Sequence, residues 1–171
     1  MFQASGRSPS RPQADTIPSV EIGRNTTDHV RLEIVGYQFA AAKDAWDANW
    51  LRVHVRASVD GREWDSIDPC LLTSEVSEIA VWLQYLADGV DVAPLEFSEP
   101  ELAFDLVGRD GDLIHLRVWF EGGLRPSWAP YDAMPSRDLA GEIAVTREEL
   151  TRAAADLRQQ VRRFPDRPGV G

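Results

Sequence analysis

The stretch from Asn49 to Gly89 constrains the fold more than any other part of this chain, because it specifies a sheet and its covering helix in one run. Leu51, Val53, Val55, Ala57 and Val59 alternate with Arg52, His54, Arg56 and Ser58, the period-two pattern of a strand with one buried face. Asp60-Gly61 follows, and a two-residue hairpin loop needs the positive φ that these residues tolerate. The returning strand is then REWDSID, with Trp64 beside Ala57 and Asp65 opposite Arg56. Opposite charges meet across that pair. Pro69 is expected to stop sheet pairing, since it has no N–H to donate. Thr73 is the expected N-cap of a helix with Glu75 and Glu78 near its positive end. Val76, Ile79, Ala80, Leu83 and Ala87 form its buried stripe, and Asp88-Gly89 ends it.

Upstream, residues 1–28 are rich in Ser, Pro and Arg and lack hydrophobic periodicity, which predicts a disordered tail. Order is expected from His29, where Val30, Leu32 and Ile34 begin a strand ending at Gly36. Residues 40–49 read as a loop or short helical turn. Downstream, Leu95 and Phe97 face inward from a short strand. Leu102, Phe104 and Leu106 are answered by Ile114, Leu116, Val118 and Phe120. A three-residue loop at Arg109-Asp110-Gly111 would set Asp105 against His115 and Glu101 against Trp119. Residues 122–140 read as a long irregular connection, and Glu142 to Val145 as a last strand. Thr146-Arg147-Glu148-Glu149 is a capping box stapled by Val145 and Leu150, and it opens a helix whose stripe runs from Leu150 to Phe164. The predicted fold is α+β: one domain over 29–171, a curved and mainly antiparallel sheet of about seven strands, covered by two amphipathic helices.

The net charge of −10 is unevenly placed, with 14 acidic side chains between Asp60 and Asp112 against Arg62 and Arg109 alone. Such a surface repels phosphate backbones and favours basic partners, so nucleic acid is not an expected partner. No apolar run approaches the roughly 18 residues of a membrane span. With one cysteine, Cys70, and no targeting segment, the expected setting is cytoplasmic and reduced.

No catalytic, cofactor or metal-ligand set emerges from the residues. His29, His54 and His115 lie on separate elements, which does not assemble a zinc site. Cys70 has no evident base and reads as a small buried side chain. Glu96, Glu99, Glu101 and Asp105 are numerous enough to hold a glycosidase-like pair, although strand alternation sends many of them to solvent. Trp46, Trp50 and Trp128 lie in or beside irregular segments, where they serve either as binding anchors or as plugs of the sheet ends. A ligand-binding or hydrolytic domain with a Trp-lined pocket and the acidic 96–105 segment is therefore the alternative reading.

The ordered strings GYQF at 36–39, DANWL at 47–51, DPCLLT at 68–73, LEFSEPELAF at 95–104, LRVWFEGGLRPSW at 116–128 and RRFP at 162–165 resemble the WapI-type immunity proteins. The resemblance implies a cytoplasmic bacterial antitoxin that binds the C-terminal domain of a polymorphic, contact-delivered toxin, often a nuclease. It carries no catalytic residues and no interface map. The expected partner is a basic toxin domain. Candidate contacts are Glu63, Asp65, Glu99, Glu101 and Asp105, with Trp119 as an anchor, because alternation puts them on the outer faces of the two hairpins.

Overall fold

A computed structural model describes residues 19–24, 26–129 and 137–168. Among these residues, eight strands form two antiparallel four-stranded sheets, so the α+β class holds while the expected single sheet becomes two. The first sheet contains β1 (Val20–Ile22), β2 (His29–Tyr37), β3 (Trp50–Val59) and β4 (Arg62–Leu72) in chain order. The second contains β5 (Leu95–Glu96), β6 (Leu102–Asp110), β7 (Leu113–Phe120) and β8 (Ala140–Thr146), again in order. The helices are α1 (Ala45–Ala48), α2 (Thr73–Ala87) and α3 (Arg147–Arg163). The division into sheets has a local cause: α2 carries the chain away from β4, and pairing resumes only with the strands that follow.

The first hairpin has the expected register, with Ala57 opposite Trp64 and Arg56 opposite Asp65. Asp60 and Gly61 both adopt positive φ at its turn. Pro69 does not end the pairing. The register instead shifts between Val53 and Leu51, so that β4 takes up an extra residue beside Arg52 and continues to Leu72. A β-bulge frees Pro69 from having to donate to the ladder. The N-cap of α2 is Leu72 rather than Thr73. Leucine has no side-chain acceptor, and Glu75 reaches back to accept from Leu72 N at 2.7 Å.

The second hairpin corrects the expected register. β6 continues through Asp110, leaving Gly111-Asp112 as the loop, and a bulge between Leu106 and Gly108 absorbs the extra residue. Asp105 therefore faces Arg117 instead of His115, and Trp119 faces Ala103 instead of Glu101. His115 pairs with Gly108 and Ala144.

Order also begins earlier than His29. Val20 and Ile22 are buried in β1 and pair with Leu32 and Val30 of β2, which corrects the tail expectation at its C-terminal end. The rest of that expectation, residues 1–18, lies outside the described residues. Apolar alternation over only three residues is too short a signal to separate from a Ser/Pro-rich segment.

One hydrophobic core joins both sheets, α2 and α3. α2 and α3 pack on each other, α3 also touches β1 and β8, and α2 meets β4. Thr146 caps α3 as expected: Thr146 Oγ1 accepts from Glu149 N at 3.2 Å, and Glu149 Oε2 accepts from Thr146 N at 2.9 Å. Where the sheets adjoin, the two carboxylate oxygens of Asp28 accept from Asp60 N at 2.8 Å and Glu142 N at 3.2 Å. Trp64 crosses the same boundary, edge-on to Phe120 at 5.0 Å, and donates to Leu124 O at 2.9 Å.

Candidate functional site

The sequence strings singled out above come together in two groups of three. Asn49 and Arg167 clasp the C-terminal segment: Asn49 Oδ1 accepts from Arg167 N at 2.8 Å, and Asn49 Nδ2 donates to Arg167 O at 3.0 Å. The Arg167 guanidinium then donates to Ala48 O and Phe39 O and lies 3.6 Å from the centre of the Tyr37 ring. Phe164 meets that ring edge-on at 5.7 Å. This joins the strings at 36–39, 47–51 and 162–165 into a structural clasp.

A second junction joins the strings at 68–73, 95–104 and 116–128. Glu75 is buried and uses its second oxygen to accept from Ser98 N at 2.7 Å, tying α2 to the segment before β6. Glu101 turns inward, where its Oε1 accepts from Gly123 N at 3.0 Å. A Cβ on Gly122 would lie 2.4 Å from Glu101 Oε1, and one on Gly123 would lie 2.1 Å from Asp68 Oδ2. As the two carboxyl groups lie, a side chain at either glycine would require them to shift. Burial raises the Glu101 carboxyl to about 7; the Gly123 N–H opposes the rise and Asp68 reinforces it. Glu101 Oε2 is sealed from solvent without a partner in the ionised form, and a proton there lets it donate to Asp68. A raised carboxyl is what a hydrolytic general acid requires. Here one carboxyl oxygen is engaged by the Gly123 N–H and the other is enclosed beside Asp68.

Nearby, the Arg125 and Glu121 side chains are almost wholly buried and paired at 3.3 Å. Asp138 accepts from the same guanidinium at 2.7 Å. Hydrogen bonding to Asp138 raises the Arg125 pKa further. The pair fixes the start of the connection after β7, since Glu121 Oε1 also accepts from Arg137 N at 2.6 Å. Removing Arg125 would strand the buried Glu121 carboxylate, whereas removing Glu121 leaves Arg125 its contact to Asp138.

The expected contact residues are dispersed. Glu63 and Asp65 are exposed on β4, but the row across the first sheet reads Glu21, Arg31, Arg56, Asp65. His54 Nε2 also lies 2.9 Å from Asp65 Oδ2. That face is mixed in charge rather than acidic. Asp105 and Trp119 share the outer face of β6 and β7, where Arg117 stands opposite Asp105 and binds Glu142. The Arg117 and Arg137 guanidinium groups lie 5.6 and 6.0 Å from the centre of the Trp119 ring. Glu99 is exposed in the turn before β6, whereas Glu101 is the inward residue just described.

Cys70 is fully buried, and burial pushes its thiol above the ordinary range. Trp128 is a plug: Trp64 meets it edge-on at 5.7 Å, and the Arg62 guanidinium covers it at 3.6 Å. Trp46 is 57% exposed and rests edge-on against Trp50. Among the described residues, no group of three or more His, Cys, Asp or Glu could hold a metal ion, and no helix is long and apolar enough to cross a membrane. Sequence reasoning followed only the inner stripe of α2 and passed over Val81 and Tyr85, which are apolar, exposed and one helical turn apart. Their i, i+4 spacing opposite the stripe was the available signal.

Residues 21–165 match the family model described as the immunity protein WapI-like family. The chain belongs to that family. Searches of the curated proteins and of the solved structures gave no significant match. In this WapI-like chain the strings meet at the clasp and at the Glu101 junction.

Proposed function

We propose that this protein is an antitoxin: it binds the C-terminal toxin domain of a bacterial polymorphic toxin in the cytoplasm and blocks it without catalysis or a cofactor. The WapI-like family match carries the proposal. The acid excess supports a basic toxin, and a nuclease is the class proposed, because a cleft built to hold phosphate is basic. Glu99, Asp105 and Trp119 form the proposed contact region beside β5 and β6. Glu63 and Asp65 are a second, weaker candidate, since Arg31 and Arg56 share the row of Asp65. Glu101 acts from beneath by holding the 122–124 turn.

The test is co-expression with the C-terminal toxin domain encoded next to this gene, followed by growth and binding measurements. The wild-type chain should restore growth and bind at a rate that falls steeply with salt, because steering between opposite charges is screened. Absence of both binding and protection overturns the proposal. Glu99→Lys/Asp105→Lys should slow association more than Glu63→Lys/Asp65→Lys does.

A further inference from the structure

The outward face of α2 opens onto a groove of about 380 Å³ between the helix and the segment that leads into β5. Val81 and Tyr85 form one wall at 47% and 49% exposure, Val92 and Leu95 form the other, and Trp82 is the nearly buried floor. The Trp82 indole N–H donates to Ala93 O at 2.9 Å. Its only polar atom is thus satisfied within the chain, and the floor asks an occupant for nothing but apolar surface. Single exposed apolar residues are ordinary on any protein, whereas an aromatic floor between two apolar walls is the form of an anchor pocket.

The rim gives the occupant's charge. Between Thr73 and Glu101 the chain has seven acidic side chains and no Lys, Arg or His; Glu78 lines the groove itself, while Glu75 is buried and Glu101 is held at Gly123. Arg109 and Arg137 reach in from outside to pair with Asp91 and Glu96. Among the described residues, Glu78, which lines the groove, and Glu99 make no ion pair. Such a rim repels an acidic partner and a second copy of this acidic chain alike. We infer that the α2 groove is the docking site for a basic protein surface that inserts an apolar or aromatic side chain flanked by Lys or Arg, and that this surface belongs to the toxin domain. The inference rests on the antitoxin reading. It makes the groove the energetic centre of the complex and leaves the hairpin acids to steering.

The experiment measures binding of the same toxin domain to the full-length chain and to Tyr85→Arg, Val81→Lys and Glu78→Lys variants, with thermal melts as the check on folding. Tyr85 and Val81 are half-exposed, so these variants should melt with the wild type. Tyr85→Arg and Val81→Lys should each weaken the Kd at least 100-fold and abolish protection. Glu78→Lys should weaken it about tenfold and flatten its salt dependence. If the wild type neither binds nor protects, the antitoxin reading itself fails. Should the wild type bind and protect while both folded groove variants bind within twofold of it, only the groove assignment is overturned. A wild-type dimer that Tyr85→Arg converts to a monomer with unchanged toxin affinity overturns it too, since the groove would then be a contact between copies.

Discussion

Gln160, in the last turn of α3, closes on Ile34 of β2: its side-chain oxygen accepts from Ile34 N at 2.6 Å, and its amide nitrogen donates to Leu32 O at 3.1 Å. The side chain is fully buried. A polar residue on the apolar face of α3 is thus the link that bonds this helix to the backbone of the first sheet.

Gln160→Leu should lower the unfolding free energy by about 2–6 kcal/mol, because it leaves a buried N–H and a buried C=O without this partner at roughly 1–3 kcal/mol each. Urea denaturation measures it. A loss below about 1 kcal/mol would mean that these backbone groups find other partners.

Ile22→Ala should cost about 2–5 kcal/mol, the range for truncating a buried isoleucine. Ile22 is 1% exposed in β1 and paired with Val30. An unchanged melting temperature would mean that β1 is detached in solution and that the core begins at His29.

Glu101 makes stability depend on pH in an identifiable direction. Its folded pKa is raised to about 7 by burial. Between its ordinary value and about 7 the fold holds a proton that the unfolded chain has released, so its contribution is full in acid and is lost as pH rises through about 7. Glu101→Gln keeps an acceptor for Gly123 N and a donor toward Asp68 but cannot ionise. The variant should therefore be more stable than the wild type at pH 8, with the difference shrinking towards pH 5. Parallel wild-type and variant curves across that range would refute a shared proton at this junction.

Features set by neighbouring residues were legible in the sequence. Asp60-Gly61 specified a turn, and the turn carried the Ala57–Trp64 register with it. Thr146 and Glu149 cap α3 across three residues, and Leu150, Ala153, Ala154 and Leu157 are buried as their spacing implies. The family strings were likewise readable as strings. Tertiary structure decided what they do. Asn49 and Arg167 bond over 118 positions, and Glu101 and Gly123 over 22. Alternation assigned Glu101 to the outside because counting residues cannot register the twist of the turn before β6. Asp105 changed partner because a bulge and a two-residue loop fit the second hairpin where a three-residue loop had been expected. The α2 groove became visible only once the sheet and α3 had taken the other side of the helix. The period of apolar residues determines that a helix has faces, but which face is covered depends on packing among segments far apart in the chain.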